Sequence, residues 1–324
     1  MFKQLLRILA VLAFPLSAYL MYARRHVRRF ETLEPETAGA PGSFIDINGR
    51  RIHYVQAGHG EPLVMIHGWN GSTFSMRYTI PELAQRYRVV AIDLLGYGYS
   101  AQPADGDYSI AGQGELVRLV MDRLGIERAV VLGHSMGGAI AMWLALHYPQ
   151  RVERLILVDS ATVQELTRGR NWGVAIRPLL PLLAPFLLRK SAVRRGLRSA
   201  VHDGAQVTPE MLEGHLRPFH MKGHLRVSAK QLSDRRRDKA FDARQIRPPT
   251  LVLWGEHDRW IRPATGEELA RLIPNAQLFT VWGAGHLPLE EQPELCNREI
   301  LKFLETSLPA AASRPMTATL EPAG

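Results

Sequence analysis

Short apolar runs alternate along most of the chain with stretches in which apolar positions recur every three or four residues. Eight runs predict strands: FIDI (44–47), RIHYVQ (51–56), PLVMIH (62–67), RVVAID (88–93), AVVLG (129–133), RLILVD (154–159), TLVLWG (250–255) and QLFTV (277–281). The first two flank Asn48-Gly49, a hairpin signal. The later runs are apolar almost without interruption, as expected of parallel strands covered on both faces. PELAQRY, SIAGQGELVRLVMDRLG, MGGAIAMWLALHYP, ATGEELARLI and EEQPELCNREILKFLETSL carry the helical period between them. Such alternation predicts an α/β fold, a mostly parallel eight-stranded sheet flanked by helices, over residues 44–160 and 246–305.

The alternation stops between residues 161 and 245, where no strand-like run occurs and the spacing is helical. A helical insertion on the sheet is expected there. A different pattern opens the chain: from Ile8 to Ala23 every residue is apolar or weakly polar, and Leu5 and Leu6 extend the run. Its length is near the lower limit of about 17–25 residues for a bilayer span. Arg7 can snorkel, Tyr19 and Tyr22 stand where interfacial aromatics would sit, and Arg24, Arg25, Arg28 and Arg29 follow. A cleaved signal peptide would carry its larger charge before the run and a small-residue cleavage site after it, and neither is present. Residues 1–30 are therefore expected to be a retained single-pass anchor, with the following chain on the cytoplasmic side by the positive-inside bias. Residues 31–43 read as a flexible linker and 306–324 as a disordered tail.

Charge adds to this picture because it is unevenly placed. Net charge is +9, yet residues 1–29 hold six Lys/Arg and no acid, and residues 161–245 hold 17 Lys/Arg against seven Asp/Glu. The rest of the chain is therefore acidic. The two basic pieces fit an anionic membrane surface, and no zinc-finger spacing or RNA-binding aromatic motif points to nucleic acid. The one cysteine, Cys296, excludes an internal disulfide and sits in a helical pattern where it packs.

Candidate chemistry begins at VVLGHSMGGAIAM (130–142). A strand-like run stops at Gly133, and a helix begins within three residues. Gly133-His134-Ser135-Met136-Gly137 is G-x-S-x-G in its supporting strand–turn–helix context, which lifts a serine hydroxyl over the sheet edge. A serine needs a base. His286, in VWGAGHLPLEEQPE, follows a strand and a glycine-rich loop and can reach back over the sheet. The base needs an acid to fix its tautomer. Asp258, in LVLWGEHDRWIRP, follows the seventh strand; Asp159, after the sixth, is the alternative. Asp93 and Glu256 read as structural. No metal cluster or phosphate-binding glycine loop is present, so no cofactor is expected.

The order Ser135, Asp258, His286, together with HGWNGS (67–72), DLLGYGYS (93–100) and GAGH, resembles the α/β-hydrolase superfamily over roughly residues 44–305. The resemblance implies oxyanion donors at the backbone amides of Trp69 and Met136, and a cap formed by the insertion at 161–245. It also sets the chain apart from dehalogenases and epoxide hydrolases of this fold, which carry Asp where Ser135 stands. Trp69, Trp172 and Leu287 are the candidate substrate contacts. Between Trp172 and Leu188 the insertion is almost wholly apolar, and arginines follow, so it either lines a pocket for an apolar chain or lies on a membrane. The expected function is a membrane-anchored serine esterase or lipase acting through an acyl-enzyme. A carbon–carbon hydrolase of ring-cleavage diketones and a non-catalytic scaffold are the alternatives.

Overall fold

The computed structural model describes residues 17–167, 179–234 and 237–306. The first described element is helix α1, residues 17–30. The sheet follows: β1 (Ser43–Ile47), β2 (Arg50–Ala57), β3 (Glu61–Ile66), β4 (Tyr87–Ile92), β5 (Ala129–His134), β6 (Val152–Val158), β7 (Thr250–Gly255) and β8 (Ala276–Val281). All eight predicted strands form. Their order is β1-β2-β4-β3-β5-β6-β7-β8; β1–β2 and β2–β4 are antiparallel, the remaining pairs parallel. The β1–β2 hairpin turns on Asn48 and Gly49, both at positive φ (54° and 75°), the conformation that a two-residue turn of matching twist requires.

The two-sided burial follows from side-chain parity. Val64, Ile66, Val90, Ile92 and Val131 face α3 (Ile110–Arg123), α4 (Met136–His147) and α10 (Pro263–Leu272). Leu63, Met65, Val89, Ala91 and Leu132 face α2 (Ile80–Leu83) and α12 (Pro293–Thr306). Neighbouring residues of one strand thus fill opposite cores, which is why these strands are apolar throughout. Cys296 lies fully buried in α12, and burial pushes its thiol pKa up, as expected of a packing residue rather than a nucleophile.

The insertion falls between β6 and β7. Its described helices are α5 (Val163–Thr167), α6 (Leu180–Leu187), α7 (Lys190–Ala200), α8 (Pro209–Leu216) and α9 (His224–Asp234). Helix α11 (Pro288–Glu291) sits between β8 and α12.

One expectation changes, and another falls mostly outside the described residues. Residues 31–43 are packed on the cap rather than free. The Glu31 carboxylate accepts the amides of Gly223 (2.9 Å) and Leu225 (2.7 Å) at the start of α9. Leu33 bonds to His220 and Lys222 through its backbone, and Ala38 is buried with Tyr99 and Met221. The polar, Pro- and Gly-containing composition concealed these contacts because their partners lie some 190 positions away in sequence. The anchor expectation concerns residues that are mostly outside the described set: residues 1–16 carry most of the apolar run, and 307–324 the tail. Among the described residues, no helix is long and apolar enough to cross a membrane. Tyr19, expected at a lipid interface, donates to the Leu182 carbonyl of α6 at 2.6 Å.

Candidate active site

Strand β5 ends at His134 and α4 starts at Met136, so Ser135 alone makes the turn. Its φ of 53° and ψ of −120° are a strained combination for a residue with a side chain. Surrounding hydrogen bonds hold it: Ser135 N–H donates to Val158 O (2.9 Å), and Ser135 O accepts the amides of Gly138 (2.9 Å) and Ala161 (3.0 Å). The glycine after Met136 is dictated by close approach, since a Cβ on Gly137 would stand 2.2 Å from the Ile66 carbonyl oxygen. The strand–serine–helix path therefore needs glycine two positions to either side of the serine, at Gly133 and Gly137.

His286 lies in the loop after β8. Its Nε2 is 3.0 Å from Ser135 Oγ, and its Nδ1 is 2.7 Å from Asp258 Oδ2. Asp258 follows β7, and its other oxygen accepts the amides of Trp260 (2.7 Å) and Ile261 (3.0 Å), which fixes the carboxylate's direction. All three residues are buried. The carboxylate orients the ring and can stabilise an imidazolium, so the ring can take the serine proton.

Sequence reasoning missed the groups that hold this histidine. His286 N–H donates to the Ala200 carbonyl at the end of α7 (2.7 Å), and His286 O accepts from His134 Nε2 (2.8 Å). Burial, with His286 adding to it, pushes the His134 pKa down to about 3, so this ring is neutral and carries its proton on Nε2. Trp260 lies against His286, ring centroids 5.1 Å apart. His134 beside the serine and Trp260 two residues after the acid gave no pattern of their own.

Asp159 is close but differently engaged. Its Oδ1 accepts the Gly255 amide at 2.9 Å, while Oδ2 is enclosed on the side of Asp258. Burial, then the neighbouring Asp258 charge, raises its pKa well above the ordinary carboxylate range. His286 is thus bonded to Asp258, and Asp159 stands beside the pair with its carboxyl's proton affinity raised. Polar atoms of Asp159, Asp258 and His286 lie within 4.8 Å of one another. A metal ion there would compete with the two bonds already made by the imidazole nitrogens.

The other predicted positions fall around the serine. A Cβ on Gly68 would stand 2.9 Å from Ser135 Cβ, so the HGWNGS loop presses directly on the turn and brings Trp69 beside it. His67 fixes that loop: its Nδ1 donates to Gly68 O (2.7 Å), its Nε2 accepts from the Leu94 amide (3.1 Å), and burial lowers its pKa. Asp93, read as structural, accepts from the amides of Thr73 and Tyr99 and from His53, and so ties this loop to DLLGYGYS. The Trp69 ring is part-exposed and donates to Gln231 of α9 (3.3 Å). Met136 is buried at the first turn of α4, where helix amides point outward toward anionic charge. Leu287 packs with the cap residues Leu197, Val201 and Leu212. Trp172 lies outside the described residues.

Glu290 locks cap to core. Its carboxylate is buried and pairs with Arg77, from the helical turn after HGWNGS, and with His215 of α8 (2.8 Å). Burial alone would raise its pKa; His215 and Arg77 outweigh burial and hold it below the usual 4.5. A carboxylate whose folded pKa is depressed contributes stability above its unfolded pKa and loses it as pH falls through the folded one. Glu290→Gln is expected to cost about 3 kcal/mol at neutral pH. The gap in melting temperature between variant and parent should hold down to about pH 4.5 and close as pH falls further through the depressed folded pKa. A gap that stays constant would remove the charge from this account.

A family model described as the alpha/beta hydrolase fold matches residues 61–200 and 214–293. The chain is 33% identical over 285 residues to a 2-hydroxymuconate semialdehyde hydrolase of Pseudomonas putida, covering 83% of this chain and 96% of that one. It is 31% identical over 255 residues to an uncharacterized hydrolase of Bacillus subtilis, covering 78% and 93%. Among solved structures, a meta-cleavage product hydrolase superposes with a TM-score of 0.70 at 25% identity, over 82% of this chain and 98% of that one.

Proposed function

The chain belongs to the alpha/beta hydrolase fold family, and from that premise we propose that it is a membrane-anchored serine hydrolase cleaving carboxylic esters of apolar, lipid-like acyl groups. The observation that carries this reading is the continuous hydrogen-bonded path from Ser135 through His286 to Asp258, beneath a cap with an apolar helix. Ser135 Oγ attacks the ester carbonyl carbon as its proton passes to His286 Nε2. The carbonyl oxygen becomes an oxyanion that the amides of Trp69 and Met136 stabilise, a contribution of about 10²–10³ in rate per donor. His286 returns the proton to the leaving alcohol, and the acyl group stays on Ser135. Water, deprotonated by the same imidazole, then releases the acid. The apolar segment of residues 1–30 serves as the anchor, with the enzyme on the cytoplasmic side.

A fluorophosphonate probe with an alkyl tail tests this. It should add its mass to Ser135 and to no other residue, and a long-chain ester should slow labelling by competition. A Ser135 that the probe leaves unmodified would return the chain to the scaffold reading. The relative at 33% identity supports a second reading, hydrolysis of a carbon–carbon bond in a ring-cleavage product. Under that reading the dienoic substrate, and not the ester, should protect Ser135 from the probe.

A further inference from the structure

Helices α1 and α6 are separated by some 160 residues, yet they form one surface. Tyr19 Oη bonds to Leu182 O at 2.6 Å, His26 Nε2 bonds to Leu188 O at 3.0 Å, and Ala23 is buried in the seam. Large apolar side chains remain exposed on both helices: Met21 and Tyr22 on α1, and Leu179, Leu183, Phe186 and Leu187 at α6. Phe186 is 56% exposed and Met21 62%. Isolated exposed apolar residues are ordinary, but four at one helix, α6, with two more on the helix bonded to it, call for a partner.

The surroundings of the patch are cationic. Arg24, Arg25, Arg28 and Arg29 are exposed on α1, and Arg194, Arg195 and Arg198 on α7, the helix that follows α6. The nearby ion pairs Lys190–Glu213 and Lys222–Glu34 engage none of these arginines. Apolar side chains beside exposed arginines that form no ion pair among the described residues match an anionic lipid interface, with acyl chains under the first and phosphates under the second.

Chain register gives an independent argument. Residues 5–23 are the expected span, and Tyr19 to Ala23 covers about 6 Å of its exit end at 1.5 Å rise per residue. That end is bonded to α6. If residues 5–23 lie in lipid, Leu182 must lie at the depth of Tyr19, so the cap cannot stand clear of the bilayer. The α7 end of the same unit reaches the site: Ala200 O accepts the His286 amide, and Ser199 Oγ accepts from the Trp260 indole at 3.2 Å.

We propose that the α1–α6 face is seated in the interface of an anionic lipid leaflet, with the arginines of α1 and α7 on the phosphates, so that the cap over Ser135 opens toward lipid. This deepens the anchored-hydrolase reading and rests on it only for the depth argument.

The test uses the full chain reconstituted in vesicles. Phe186→Cys provides a labelling site for an environment-sensitive nitrobenzoxadiazole probe, because the native Cys296 is buried. Leu278→Cys, on the exposed face of edge strand β8, is the control. In phosphatidylcholine vesicles containing phosphatidylglycerol, the probe at position 186 should shift to the blue and brighten by about threefold, as expected for transfer from water to an interface. The probe at position 278 should not change. In phosphatidylcholine alone, or with Arg194, Arg195 and Arg198 all changed to Gln, the change should be at most half as large. A water-like probe at position 186 in anionic vesicles overturns the proposal. So does a shift that appears without lipid and grows with protein concentration, which would make the face a contact between copies. Fluorophosphonate labelling of the same samples reads Ser135 separately, so a failed docking surface and a failed hydrolase reading give different results.

Discussion

Ser135→Ala is expected to lower kcat/KM for a medium-chain ester by about 10⁴-fold or more while the fold survives. The size follows from the geometry. The variant loses the hydroxyl that stands 3.0 Å from His286 Nε2, the group from which the proposed reaction starts. What remains is binding plus oxyanion stabilisation, which still exceeds the uncatalysed rate. The fold should survive because the turn's strain is held by backbone bonds to Val158, Gly138 and Ala161, none of which uses the hydroxyl. Circular dichroism and melting temperature should match the parent. A variant that keeps more than a tenth of the parent rate contradicts the serine's role.

The two acids beside His286 should respond very differently to the same substitution. Asp258→Asn is expected to cost about 10⁴-fold in kcat, because an amide donating to Nδ1 leaves the ring in the tautomer that cannot accept the serine proton. Asp159→Asn should cost less than about tenfold, since the His286 ring is held by Asp258 and the amide oxygen can still accept from the Gly255 amide. Burial, then the neighbouring Asp258 charge, raises the Asp159 pKa and so favours its neutral form. The pair is measured by steady-state kinetics on one ester. The reverse order of effects would move the acid to the end of β6 and overturn the assignment made here.

The sheet and the meeting of Ser135, His286 and Asp258 were legible in the sequence because each leaves a local signature. Strands β3 to β7 are apolar on both parities, the turn at Ser135 carries its glycines beside it, and Asp258 and His286 each follow a strand at the same sheet edge. What was not legible depends on long separations. The capping of α9 by Glu31, the bond from Tyr19 to Leu182 and the Arg77–Glu290–His215 cluster join residues that no local period connects. Residues 31–43 looked like a linker for this reason, because polar composition is equally compatible with solvent and with satisfied buried hydrogen bonds. Arg154 shows the same limit: it begins an otherwise apolar run, yet it is buried and paired with Glu61 and the Leu304 carbonyl. Asp258 was the expected acid and Asp159 the alternative, since both follow parallel strands at the same edge; the 2.7 Å contact to His286 Nδ1 is made by Asp258.

The most direct measurement of the central claim is hydrolysis of p-nitrophenyl esters from two to sixteen carbons by the full-length protein in vesicles, with Ser135→Ala beside it and a ring-cleavage dienoate as competing substrate. The account predicts Ser135-dependent turnover that peaks at medium or long chains and exceeds turnover of the dienoate. Turnover of the dienoate with ester hydrolysis confined to acetate would contradict it, and would make the protein a carbon–carbon hydrolase built on the same serine.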